Sequence, residues 1–377
     1  MASAALAIDS YQQDILVDRA PDYVRPYVLP RYHGRAVLIT PSQVARYSVT
    51  ADSSGGAFSL LQHNGRESGW TSARPHAHRV YHEHFYCARG RCELWAVKNE
   101  STATQEARVA TPGDYGNVPP GSIHTFQLTD PDSQLAHVFH PAGFERLFDE
   151  FNGGDFPAGG VSSPYLPLDA DPEIFGPMTS DLAARFAALD LYTSPPDEFI
   201  PRRDLVNGTA GDDHLHWHDG PNALSAAAAA DDDATAPYFV AKDYGPKFLN
   251  FDNGYKIIQP LATPAQSTHR NFTMGTIIMS PRLRNESANA AKLPHHFAVQ
   301  MEDGQLVLDV QGYKTASLLP GDVAFVPAGV EFTYSATVPY TKFLYLNGGA
   351  KGLEYGLLKR AVPWKFTAYP IYAGFRG

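Results

Sequence analysis

Cysteine is almost missing from this chain: Cys87 and Cys92 are the two present in 377 residues. At most one bridge can form, which excludes a disulfide-dense scaffold. Long apolar runs are missing too, since no stretch approaches the ~18 residues that read as a membrane-spanning helix. Positive charge is in short supply, with 30 Lys and Arg against 40 Asp and Glu and a net charge of −10. That balance argues against a nucleic-acid partner and against a polybasic membrane contact. The opening MASAALAIDSYQQD has no basic n-region, and its apolar run is too short for a signal peptide. A cytoplasmic location is expected if Met1 is the native start, and a secreted one if the chain is trimmed. Asn-x-Ser/Thr sites at Asn99, Asn207, Asn271 and Asn285 pull toward secretion. The cysteines flank the turn Ala88–Arg91, where either a cross-strand disulfide or two buried thiols would fit.

What is present is globular: 44 % hydrophobic and 19 % charged residues, and a length that suggests two domains. After an irregular arm over residues 1–35 come short runs such as AVLIT, RYSVT, HEHFYCAR, RCELWAV and QLAHVFH. They are rich in β-branched and aromatic residues and separated by Gly, Pro, Asp and Asn, as in an antiparallel sandwich or barrel. ERLFDEF (145–151) reads as a short helix. DLAARFAALDLY (181–192) is the strongest helix, with Ser180 as its expected N-cap. From Thr193 to about Pro237 the chain is linker-like, and strands resume at PYFVA.

An internal repeat sets the architecture. PGDYGNVPPGSIHTF (112–126) aligns without gaps on PGDVAFVPAGVEFTY (320–334), and Gly90 matches Gly304. The expectation is a mainly β fold of two similar barrels. A first domain spans 1–150, a linker with a short helix spans 151–237, and a second domain spans 238–377.

The first copy carries chemistry that the second lacks. PHAHRVYHEHFYCARG (75–90) holds His76 and His78 two residues apart, and the repeat block adds His124. Alternate residues of a strand share a face, so His76 and His78 point together. Glu83 has the opposite parity and joins them only through a bend at Val80–Tyr81. Three neutral imidazoles and a carboxylate suit one divalent transition metal per chain. In the second copy Phe332 stands where His124 does. Counting back from Gly304 puts the other vacant positions near Ala290, Lys292 and Phe297.

The pattern H-x-H-x4-E-x6-G followed by G-x5-P-x-G-x2-H resembles the two-part signature of the cupin superfamily, here duplicated as in a bicupin. APDYVRPYV, SSGGAF, HFYCARGRCELWA, HTFQLTDPDSQ, GFERLF, GPKFLN and GDVAFVPAGVEF extend the match. Together they resemble the fungal quercetin 2,3-dioxygenases over most of the chain. The resemblance implies two double-stranded β-helix barrels joined by a helical and loop-rich linker. It implies metal ligands at His76, His78, Glu83 and His124, and an aromatic clamp at Phe85 and Phe126. Leu61, His63, Leu135, His137 and Phe139 would complete the substrate pocket. It also implies copper, with nickel, iron, manganese or cobalt as alternatives, and a reaction that opens a flavonol heterocycle with O2 and releases CO. The chain departs from the family at Ala45, where a tyrosine is usual, and at Leu61 and Leu135, where methionines are usual. His63 and His137 replace small or apolar residues.

A metal with these four ligands carries a net charge of about +1 and favours an enolate. Glu83, the one acid among them, is the candidate base for the 3-hydroxyl proton. With His63 and His137 beside it, the pocket is expected to prefer a ligand bearing an additional acceptor or acidic group. The expected partners are a small aromatic substrate and O2, in a monomer or homodimer. Alternatives are an intracellular bicupin metalloenzyme for another aromatic or enol natural product, and a non-catalytic bicupin for binding or storage. The intact ligand set speaks against the last. His82 and His84 should face away from the metal. HLHWH (His214, His216, His218) reads as a solvated linker or an adventitious second site.

Overall fold

The computed structural model describes residues 12–66, 71–97, 105–161, 178–195, 198–203, 206–207, 236–243, 245–366 and 369–370. His214, His216 and His218 lie outside them. Period-2 alternation of apolar residues gives strands that pair antiparallel, apart from a short parallel pairing of Val206–Asn207 with Glu106–Ala110, and they are arranged as the two barrels that the repeat implies. In the first barrel, a seven-stranded sheet has at its centre the strands His82–Arg89, Ser133–His140 and Ser59–Gly65. Facing it is a six-stranded sheet that includes His76–Ala77, Ile123–Leu128 and Cys92–Val97. Eight- and four-stranded sheets form the second barrel. No helix among the described residues is long and apolar enough to cross a membrane.

The repeat is superimposed in the backbone itself. Gly113 and Gly321 have φ of 99° and 96°, and Gly121 and Gly329 have 85° and 77°. Such angles exclude side chains with a Cβ at little cost, which is why both copies keep glycine there. The hairpin glycines Gly90 and Gly304 agree likewise, at 69° and 72°.

The barrels exchange strands, which the sequence did not reveal. Tyr27–Leu29, from the N-terminal arm, pairs with Val323–Val326 of the second barrel. In return Tyr238–Val240 pairs with Tyr115–Val118 of the first. Between the barrels lies an apolar core that includes Tyr86, Tyr115, Val138, Phe272, Phe325 and Leu346.

The helix that begins at Ser180 ends at Ala188, and its cap is Thr179, not Ser180. The Thr179 hydroxyl accepts from the N–H of Leu182, the third residue of the helix, at 3.2 Å. Arg146–Glu150 forms the short helix expected near 145–151. Both cysteines are buried and free.

In the second barrel Phe332 and Phe297 are buried and stack at 5.6 Å, 15° between ring planes. The register there differs by one residue from the count along the sequence. Ala291 pairs with Phe332 as His76 pairs with His124, so Ala291, not Ala290, takes the first vacant position. Lys292 is exposed and paired with Glu331 at 3.1 Å. A Phe332→His substitution replaces a stacked apolar ring by a polar one without a partner. It should lower stability by about 2–4 kcal/mol in denaturant unfolding and add no second metal in elemental analysis.

Candidate metal centre

The strand pair that frames the site is set by register. His76 stands opposite His124, while Glu83, Phe85 and Cys87 project inward from the neighbouring sheet. Between His78 and Glu83 the chain must reverse its parity, and the structure shows what holds that bend. Asp190, just beyond the helix Ser180–Ala188, accepts through its carboxylate from the backbone N–H groups of Arg79, Val80 and Tyr81 at 3.0, 2.8 and 3.1 Å. Its backbone carbonyl accepts from His78 Nδ1 at 2.7 Å. Tyr192–Thr193 then pairs with His76–Ala77. Asp190 is the residue that sequence reasoning missed, and no local motif marks it.

Asp190 lies at φ 63°, so Asp190→Gly deletes the carboxylate without straining the backbone. Metal affinity should fall by roughly 10–100-fold in a chelator competition, as for other residues that orient ligands. Unchanged affinity would mean that the bend holds without it.

All four side chains are buried, and one ligand atom from each lies within 4.8 Å of the others. Each histidine commits its Nδ1 to a backbone carbonyl: His76 to Arg74 at 2.7 Å, His78 to Asp190, and His124 to Ser122 at 3.0 Å. A neutral imidazole bonded in this way leaves its Nε2 lone pair free. Yet His124 Nε2 lies 2.8 Å and His78 Nε2 3.2 Å from Glu83 Oε2. Lone pair against carboxylate is repulsive unless a cation lies between them. The donor set therefore fits a divalent metal.

The protonation states agree. Burial, and then the neighbouring imidazoles, push His76 well below its usual range. Burial alone would raise Glu83, but its close contacts with the His124 and His78 rings bring it well below the carboxylate range. His76 is thus held neutral and Glu83 ionised, the forms in which these two side chains bind a metal.

Around this centre, Phe85 and Phe126 touch at 5.6 Å. Leu135 packs with both, and Leu61 packs with Ala45, Tyr47 and Phe139. Phe139 stacks on Phe144 at 4.3 Å and meets His78 edge-on at 6.1 Å. His63 and His137 also point inward and are buried. Burial pushes His63 well below its usual range and His137 down to about 4. Both are therefore neutral and bring no charge to the pocket.

His82 and His84 face the other way, into the contact between the barrels, with His140. Tyr115 donates to Asn117 Oδ1 at 3.0 Å, so its oxygen accepts from His84 Nδ1 at 2.6 Å. His84 Nε2 then accepts from His140 Nδ1 at 3.0 Å. His82 donates to Asn117 Oδ1 at 2.9 Å and accepts from Thr268. Five of the six ring nitrogens of this trio are engaged in these bonds, and His140 Nε2 is buried without a partner.

No protein-family model matches the chain. It is 38 % identical over 357 residues to quercetin 2,3-dioxygenase of Aspergillus japonicus, spanning 94 % of this chain and 98 % of that one. To quercetin 2,3-dioxygenase of Bacillus subtilis it is 29 % identical over 141 residues, 36 % of this chain and 39 % of the other. A variant of Bacillus subtilis oxalate decarboxylase superposes with a TM-score of 0.50 at 13 % identity, covering 88 % of this chain and 79 % of that one. This last likeness is one of fold alone.

Proposed function

The chain belongs to the quercetin 2,3-dioxygenase family, and from that premise we propose that one divalent transition metal, held by His76, His78, Glu83 and His124, serves its reaction. The reaction is the opening of the heterocycle of a flavonol or similar 3-hydroxy-enone by O2, with release of CO. What carries this reading is the likeness along nearly the whole chain to the Aspergillus enzyme. Among divalent first-row metals, copper binds a nitrogen-rich donor set of this kind most strongly.

The metal supplies the positive charge that acidifies the substrate hydroxyl and holds the enolate. The chain's own residues do the rest. Glu83 Oε2 faces the histidines, while Oε1 faces the barrel interior toward His137, 3.6 Å away. The inner oxygen is the one able to take the hydroxyl proton as the hydroxyl becomes an enolate. Phe85 and Phe126 give the aromatic rings an apolar wall and exclude water, and Leu61, Leu135 and Phe139 close the sides.

The test is aerobic turnover of quercetin by fully metallated protein, with O2 uptake and CO measured together. One CO should appear per flavonol and per O2 consumed. Flavonol loss without CO, or no loss of any flavonol, would sink the proposal.

A further inference from the structure

Two of the imidazoles inside the first barrel are not metal ligands, and one of them has a buried ring nitrogen without a hydrogen-bond partner. His63 and His137 stand on adjacent strands with ring centroids 5.3 Å apart. His137 lies among the aromatic side chains, 4.7 Å from Phe85 and 4.9 Å from Phe126, with both rings steeply tilted to it. His63 stands perpendicular to Phe126 at 5.1 Å.

Donor and acceptor accounting fixes the polarity. A neutral imidazole has one N–H and one lone pair. His137 Nδ1 faces the Glu83 Oε1 oxygen, and the negative charge there favours the proton on Nδ1. Nε2 is left with the lone pair, and it is buried without a hydrogen-bond partner. His63 does not satisfy it, because His63 Nε2 is engaged by Gln43 Oε1 at 2.9 Å. A bare acceptor buried beside a reacting centre is destabilising until something donates to it.

We propose that His137 Nε2 accepts a hydrogen bond from a ring hydroxyl of the substrate. The enzyme thereby selects flavonol-like 3-hydroxy-enones that carry a phenolic donor over those that do not. This rests on the flavonol reading of the metal centre. It reverses the polarity expected from sequence, where a ligand with an additional acceptor or acidic group was favoured. An acidic group placed at His137 Nε2 would meet a lone pair, which repels it.

The experiment measures dissociation constants under anaerobic conditions for metal-loaded protein, with metal content determined on the same samples. The ligands are quercetin, kaempferol and galangin, compared with 3-hydroxyflavone, which has no phenolic hydroxyl. Wild type should prefer a hydroxylated member over 3-hydroxyflavone by roughly tenfold to a hundredfold. His137→Phe, which keeps a ring but no acceptor, should lose that preference at unchanged metal content. His137→Gln, whose amide oxygen reaches the Nε2 position, should recover part of it. If the phenylalanine variant does not fold, His137→Asn, with an amide too short to reach, carries the same test. A preference that survives the loss of the acceptor in a fully metallated variant overturns the role of His137 and leaves the flavonol reading standing. Failure of metallated wild type to bind even 3-hydroxyflavone overturns both.

Discussion

His124→Ala should give a folded protein with well under one metal per chain and no measurable flavonol turnover. Three facts combine to make the effect large. His124 is fully buried at the centre of the ligand set, its ring is oriented by the Ser122 carbonyl, and its Nε2 is the closest imidazole atom to Glu83. Removing it takes away a ligand and leaves the Glu83 carboxylate facing a void. The barrel itself should survive, because strand Ile123–Leu128 remains paired with Cys92–Val97 over its whole length. Elemental analysis beside a thermal melt checks both halves. A variant that kept one tightly bound metal would remove His124 from the ligand set.

Glu83→Gln separates ligation from proton transfer. Glutamine keeps an oxygen able to face the metal and fits the same space, so metal content should stay above that of the histidine variant. Turnover should nevertheless fall by about 10²–10⁴-fold, the usual cost of losing a general base, since an amide does not take up the hydroxyl proton. The readout is single-turnover decay of bound flavonol at matched metal occupancy. Near-normal rates would leave Glu83 as a ligand and nothing more.

What could be read from sequence was what short-range geometry determines. His76 and His78, Glu83 and Phe85, and His124 and Phe126 each follow the period of a strand, and glycines at positive φ fix the turns between them. The need for a bend between His78 and Glu83 could be read in the same way. Its cause could not, because Asp190 reaches the bend from a distant linker and three backbone N–H groups leave no pattern in the side chains. The exchanged strands were equally hidden, since YVL and YFV are short runs that name no partner. In the vacant copy, counting residues missed by one because a bend of different length precedes Phe297. His63 and His137 were expected inside the pocket, where the structure has them, and the polarity proposed above for His137 is the opposite of the one expected. Their hydrogen-bonding sense depends on Glu83 Oε1 and on Gln43, neighbours that only the folded barrel supplies.

The most direct test of a single metal in the first barrel is anomalous X-ray scattering from crystals of metal-loaded protein, recorded at the absorption edge of the bound element. One peak per chain should appear, enclosed by His76, His78, Glu83 and His124, with none between Phe297 and Phe332. A peak in the second barrel, or full metal content without a peak among those four residues, would contradict it.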